Sequence, residues 1–166
     1  CFPAYSPEAL RSRFEQQRRR GRTGVAVACA ALAQVAGPAL AGHERNGGVR
    51  ALAAIGLKPT VWHVNEGHAA FLILERIRSL VSGGLPYAAA LEAVASNVMF
   101  TTHTPVPAGH DHFSEEMIRH YFSGWCQELG MSCDQLMALG AEPGKTDLNM
   151  TSLALRGSRH HNGVSR

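Results

Sequence analysis

Asn97-Val98-Met99-Phe100-Thr101-Thr102-His103-Thr104-Pro105-Val106-Pro107-Ala108-Gly109-His110-Asp111-His112-Phe113 is the stretch whose reading decides the fold. Val98 to Phe100 is a short apolar run of the kind that forms a buried strand. It stops at a polar cluster, Thr101 to Thr104. Pro105, Pro107 and Gly109 then forbid continuation as helix or central strand. A polar run just past the carboxyl end of a buried strand is where α/β proteins place ligands. Val61-Trp62-His63-Val64-Asn65-Glu66-Gly67-His68 repeats the design.

Between and around these two stretches the pattern alternates. Gly47-Gly48 opens a short helix, Val49 to Ile55, with Gly56 at the left-handed stop. Lys58-Pro59 leads into a strand over Thr60 to Val64. His68 to Ser82 places Phe71, Leu74, Ile77 and Leu80/Val81 at helical spacing, with Glu75, Arg76 and Arg78 on other faces. Gly83-Gly84 ends that helix, and Pro86 starts the next, which runs to about Ser96. The strand Val98 to Thr102 follows. Strand, helix, helix, strand predicts a parallel sheet with a helical crossover, an α/β fold. Downstream, Ser114 is an N-cap for a helix to Leu129, and Phe113 is placed to staple onto Ile118. Ser132 and Gln135 form a capping box for a helix ending at Gly140. Asn149 caps a last helix expected over Met150 to His161, before an Asn162-Gly163 turn.

The 166 residues suffice for one domain with a core, and 45% hydrophobic content is that of a globular chain. Charged residues make up 17%, below the roughly 25% of an average soluble domain. The net charge of +3 is uneven: Arg11, Arg13, Arg18, Arg19, Arg20, Arg22, Arg45 and Arg50 are half of the sixteen basic residues. The remainder is near neutral, which argues against a nucleic-acid partner. No window reaches the roughly 18 apolar residues of a membrane span. Cys1, Cys29, Cys126 and Cys133 form no CxxC pair, the usage of reduced thiols in a cytoplasmic protein.

Residues 1–46 stand apart. Arg18 to Arg22, the alanine-rich Val25 to Ala36 and the small residues Gly37 to Gly42 mimic an export signal. The run starts well inside the chain and is broken by Gln34, so a disordered or out-of-frame segment is expected and no function is assigned to it. The chain begins with Cys1 rather than Met, as a processed chain or a fragment would.

His63, Glu66 and His68 read as H-x-x-E-x-H. Zinc proteases use H-E-x-x-H, whose histidines share a helical face four residues apart; here the spacing is five and Gly67 breaks the helix. With His110 and His112 these residues leave a metal-dependent hydrolase open as an alternative. Gly-x-Gly-x-x-Gly, P-loop and Gly-x-Ser-x-Gly motifs are absent. Asn65, Glu66, His68, His103 and Thr104 offer the paired donors and acceptors that a sugar needs, with Trp62 as an apolar surface if it faces the cleft. A non-catalytic carbohydrate-binding module is therefore a further alternative.

Four stretches carry a resemblance to a family: Gly-Gly-Val-Arg-Ala-Leu at 47–52, Trp-His-Val-Asn-Glu-Gly-His-Ala-Ala-Phe-Leu at 62–72, Phe-Thr-Thr-His-Thr-Pro-Val-Pro-Ala-Gly-His-Asp-His-Phe at 100–113, and Asn-Met-Thr-Ser-Leu-Ala-Leu-Arg-Gly-Ser-Arg-His-His-Asn-Gly-Val-Ser-Arg at 149–166. In this order they resemble the α-glucan phosphorylases, the glycogen, starch and maltodextrin enzymes, and most closely the short bacterial type. The resemblance implies that residues 47–166 are part of the N-terminal domain of a two-domain GT-B glycosyltransferase fold, its two Rossmann-like domains facing a cleft. It implies release of glucose 1-phosphate from α-1,4-glucan ends with inorganic phosphate, through an oxocarbenium-like transition state and with pyridoxal 5'-phosphate relaying a proton. It places His103 as the catalytic-site histidine on the transferred glucosyl unit. Asn65, Glu66, His68 and Thr104 become substrate-binding neighbours.

The chain has two lysines, Lys58 and Lys145, and neither lies in the family's cofactor-lysine motif. The resemblance thus implies a fragment, inactive alone, that carries no cofactor-binding residue. It allows a cytoplasmic, homo-oligomeric parent and leaves glucan length and allosteric control open.

Overall fold

The computed structural model describes residues 47–54, 56–103, 105–106 and 110–164. The expectations for residues 1–46, for Ile55 as a helix end and for Thr104 lie outside the described residues.

In chain order the elements are α1 (Gly47–Ala54), β1 (Trp62–Asn65), a 3-10 turn (Gly67–Ala69), α2 (Phe71–Ser82), α3 (Tyr87–Ala95), β2 (Val98–Thr102), β3 (His112–Phe113), α4 (Glu115–Leu129), α5 (Cys133–Gly140), β4 (Leu148–Asn149), α6 (Met150–Arg156) and β5 (His160–Gly163). β1, β2 and β5 form a parallel three-stranded sheet in that order, and β3 pairs antiparallel with β4. The parallel α/β architecture expected from the strand–helix–helix–strand pattern is present. Parallel pairing requires that the chain return to the same sheet end between strands, and α2 with α3 makes that return from β1 to β2.

Strand alternation decides what lies under the sheet. Trp62 and Val64 on β1 pair with Val98 and Phe100 on β2, and all four are buried. They pack with Phe71, Ile73, Leu74 and Ile77 of α2, Val94 of α3, and Ile118, Phe122 and Trp125 of α4 in one core. Burying such side chains contributes about 1.5–3 kcal/mol each before the entropy of ordering them is set against it. The helix ends follow the sequence: Ser114 Oγ accepts from Met117 N, and the Ser132–Gln135 capping box is complete in both directions. Gly56 adopts φ 73°.

Four expectations need correction. The segment after α6 is not helical to His161: α6 ends at Arg156, and Gly157 and Ser158 turn the chain into β5, with Ser158 Oγ donating to Ala154 O. Asn162-Gly163 is strand, paired with Thr101 and Thr102, rather than a turn. Trp62 does not offer a surface to a cleft; it is 5% exposed, with the Arg76 guanidinium 4.8 Å from its ring centroid. Glu75, expected on a face other than the apolar one, is buried beside it: it is 2% exposed and held by Arg50 and Arg78. Phe113 stacks on Phe71, centroids 5.7 Å apart, which anchors β3 and the start of α4 on the core.

Among the described residues no helix is long and apolar enough to cross a membrane.

Candidate functional site

Because β1, β2 and β5 are parallel, their carboxyl ends meet at one edge of the sheet. Asn65, Thr101 and His103 follow the two-residue period of the strands, opposite the core residues Val64 and Phe100. Their side chains therefore reach the sheet face that the described helices leave more open.

Three histidine contacts organise this edge. His103 Nε2 lies 2.5 Å from Asn65 Oδ1. The amide oxygen only accepts, so the imidazole donates from Nε2 and its Nδ1 is left outside that bond. His63 Nε2 lies 2.7 Å from Thr101 Oγ1, and the Thr101 hydroxyl donates at 2.7 Å to Asn162 Oδ1. With its one proton committed, Thr101 Oγ1 accepts from His63, which fixes the tautomer of that ring as well. This chain of bonds crosses all three strands and ties the exposed β5 to the sheet. His110, beyond the proline loop, bonds through Nδ1 to Thr151 Oγ1 at 2.7 Å at the start of α6.

Glu66 joins the two strand ends. Its backbone N–H donates to Thr101 O at 2.8 Å, extending the β1–β2 ladder by one step. Its carboxylate accepts from Thr102 Oγ1 at 3.0 Å and from the His103 backbone N–H at 2.7 Å. It is the one non-glycine among the described residues with positive φ, at φ 77° and ψ 158°. That region is populated almost only by glycine and costs about 1–3 kcal/mol for a side-chain-bearing residue.

The next residue shows why the turn is tight. A Cβ on Gly67 would stand 2.6 Å from Thr151 Oγ1 and 3.1 Å from Thr151 N. The end of β1 thus lies directly against α6, and only glycine fits between.

The structure brings Asn65, Glu66 and His103 together. His68, half-buried in the 3-10 turn, makes no side-chain hydrogen bond among the described residues, and Thr104 lies outside them. The metal alternative finds no support: among the described residues no group of three His, Cys, Asp or Glu side chains is placed to hold an ion. His63 is committed to Thr101 on the sheet and His110 to Thr151 on α6, so each ring already has one nitrogen engaged by a hydroxyl. Sequence reasoning misses Thr102, which braces Glu66. The only available signal was its place as the last strand residue before His103.

No protein-family model matches the chain. Curated relatives do. The glycogen phosphorylase of Mycobacterium tuberculosis is 46% identical over 131 aligned residues, covering 72% of this chain and 15% of its own length. The maltodextrin phosphorylase of Thermococcus litoralis is 40% identical over 120 residues, 72% of this chain and 14% of its own.

The chain belongs to the glycogen and maltodextrin phosphorylase family.

The glycogen phosphorylase of Aquifex aeolicus extends the likeness at 30% identity over 122 residues, again 72% of this chain. The chain spans about 15% of the length of these phosphorylases.

Proposed function

We propose that this chain is part of the N-terminal domain, residues 47–166, of a two-domain GT-B α-1,4-glucan phosphorylase. In this reading the full-length protein releases glucose 1-phosphate from glucan ends with inorganic phosphate. His103 faces the transferred glucosyl unit, Asn65, Glu66 and His68 form the polar wall beside it, and Thr104 is a further substrate-binding residue. The carrying observation is the junction of Asn65, Glu66 and His103 at the carboxyl edge of a parallel sheet, in a chain of phosphorylase kinship. Ligands of open α/β sheets gather at that edge.

The wall suits a sugar. The Asn65 bond orients the His103 imidazole and leaves Nδ1 for a glucosyl hydroxyl. A preoriented ring holds its hydrogen bond without reorganising as positive charge develops on the sugar. Pyridoxal 5'-phosphate, the cofactor of the family, supplies phosphate-borne proton relay when bound. This chain's lysines do not fit its attachment: Lys145 is paired with Glu142 at 2.6 Å, and Lys58 lies in the loop before β1. The 166-residue chain alone is expected inactive.

The test is phosphorolysis of maltodextrin by the full-length protein. His103→Ala lowers kcat by about 100-fold or more with a smaller change in KM, the pattern of an interaction realised in the transition state. Glucose 1-phosphate produced by the isolated 166-residue chain, or full turnover by His103→Ala, would sink this reading.

A further inference from the structure

We infer that Glu66 is a positioning residue: its carboxylate acts through His103, fixing where the imidazole stands, rather than by contact with the glucan. The inference rests on the phosphorylase reading and revises the part of Glu66 within it.

Three observations carry it. First, both carboxylate oxygens already accept hydrogen bonds from the strand that bears His103: Oε1 from the Thr102 hydroxyl at 3.0 Å and Oε2 from the His103 backbone N–H at 2.7 Å. A carboxylate accepting a backbone N–H forms one of the stronger hydrogen bonds. Second, that N–H has no strand to pair with in its place. Beyond Glu66 the chain leaves the sheet for the 3-10 turn, and among the described residues the ladder on the other side ends with Val164 N donating to Thr102 O. The Glu66 carboxylate is the cap on the end of β2. Third, the geometry is bought with strain. Glu66 sits at φ 77° and ψ 158°, while Gly67 follows immediately and is itself required against Thr151. A glycine at position 66 would meet the backbone demand without strain. The glutamate at this position carries that cost, and its carboxylate holds residues 102 and 103.

Asn65 and Glu66 then act as a pair. Glu66 grips the backbone of residue 103, and Asn65 grips its ring at Nε2. These two points fix the ends of the His103 side chain, and neither requires a ligand.

The experiment uses the full-length protein with Glu66→Ala and Glu66→Gln, reading kcat and KM for maltodextrin phosphorolysis together with a crystal structure of the Glu66→Ala variant. Glu66→Ala lowers kcat by about 100-fold, the scale of a misplacement near 1 Å, with KM within about threefold. Glu66→Gln keeps one carbonyl acceptor for the His103 N–H, and the Thr102 hydroxyl can rotate to accept from its amide. It therefore retains kcat within about tenfold. In the Glu66→Ala structure the His103 ring is displaced by about 1 Å or more and loses Asn65.

A Glu66→Ala variant with raised KM and unchanged kcat would make Glu66 a substrate ligand and overturn the inference. An unmoved His103 in that structure would do the same. A wild-type protein without phosphorolysis defeats the phosphorylase reading instead, and the displacement of His103 still decides the positioning role.

Discussion

Glu66 and Glu75 stand nine residues apart and are both tied down by hydrogen bonds, yet they are built in opposite ways. Glu75 lies on regular α2, 2% exposed, and accepts from Arg50 Nε at 2.9 Å and from Arg78 Nη2 at 2.7 Å and Nε at 2.9 Å. Arg78 reaches on to Glu128 at 3.3 Å, so one carboxylate links α1, α2 and α4. Its partners are cations and its backbone is relaxed. Glu66 accepts from a hydroxyl and a backbone N–H at the end of β2, from a backbone that is strained. The first arrangement joins helices. The second places one residue of a sheet edge. Burial and charge pairing mark a carboxylate that holds the fold; neutral donors at a strained turn mark one that holds a site.

The largest effect expected from this contrast is on stability at Glu75. Removing it leaves two guanidinium groups facing a buried gap, although Arg50 at 46% exposure and Arg78 at 21% can recover part of their hydration. Glu75→Ala is expected to cost about 2–3 kcal/mol, below the 3–5 kcal/mol of fully buried pairs, and to leave His103 chemistry intact. Calorimetric melting checks the first part, and phosphorolysis rates in the full-length protein check the second. A variant that melts like wild type would erase the distinction between the two glutamates.

Acid sharpens it next. Burial would raise the Glu75 pKa, but the bonds and charges of Arg78 and Arg50 outweigh it and hold the group below its ordinary 4.5. A depressed folded pKa gives stability that is present above pH 4.5 and lost as pH falls through the folded value. The gap in melting temperature between wild type and Glu75→Gln is therefore constant at neutral pH and closes below about pH 4.5. A gap that widens in acid would mean that the arginines do not hold the carboxylate.

Gly67→Ala is a smaller break on the other side. Its Cβ would press on Thr151 Oγ1, which already bonds His110, and on the backbone of residue 151. About 1–3 kcal/mol of overpacking is expected, with the Asn65–Glu66 turn shifted and kcat lowered. Retained turnover with full stability would show that the turn has room to spare.

Much of this was legible in the chain. β2 announced itself by three apolar residues and an abrupt polar stop, and Ser114, Ser132 and Asn149 named three helix starts through their capping chemistry. β5 was not legible because His160, His161, Asn162 and Gly163 are all exposed and carry no apolar period. The strand exists through pairing with β2 and the Thr101–Asn162 bond, which are long-range facts. Glu75 was misread for a related reason: helical periodicity sorts residues by hydrophobicity and cannot see that Arg50 arrives from another helix. At the site, Asn65, Glu66 and His103 could be named from residue type and strand-end position. That Glu66 grips backbone rather than facing outward depends on its φ, and glutamate gives no hint of positive φ in a sequence.

The smallest difference, between two substitutions at one position, tests the strain itself. Glu66→Gly removes two hydrogen bonds to a carboxylate, about 1.5–3 kcal/mol each in net contribution, and releases about 1–3 kcal/mol of backbone strain. It also adds some freedom to the unfolded chain, which costs up to about 1 kcal/mol. The released strain offsets only part of the loss, so Glu66→Gly is expected to melt below wild type, by less than the lost bonds alone would give. Glu66→Ala keeps the strain and loses the same bonds, and so is expected to be the less stable of the two. That order, glycine above alanine at a position where the natural residue is glutamate, is opposite to the order expected at Glu75, where helix interior disfavours glycine by about 1 kcal/mol. If alanine proves the more stable at both positions, the turn at Glu66 is relaxed in solution, and strain ceases to mark it as a site residue.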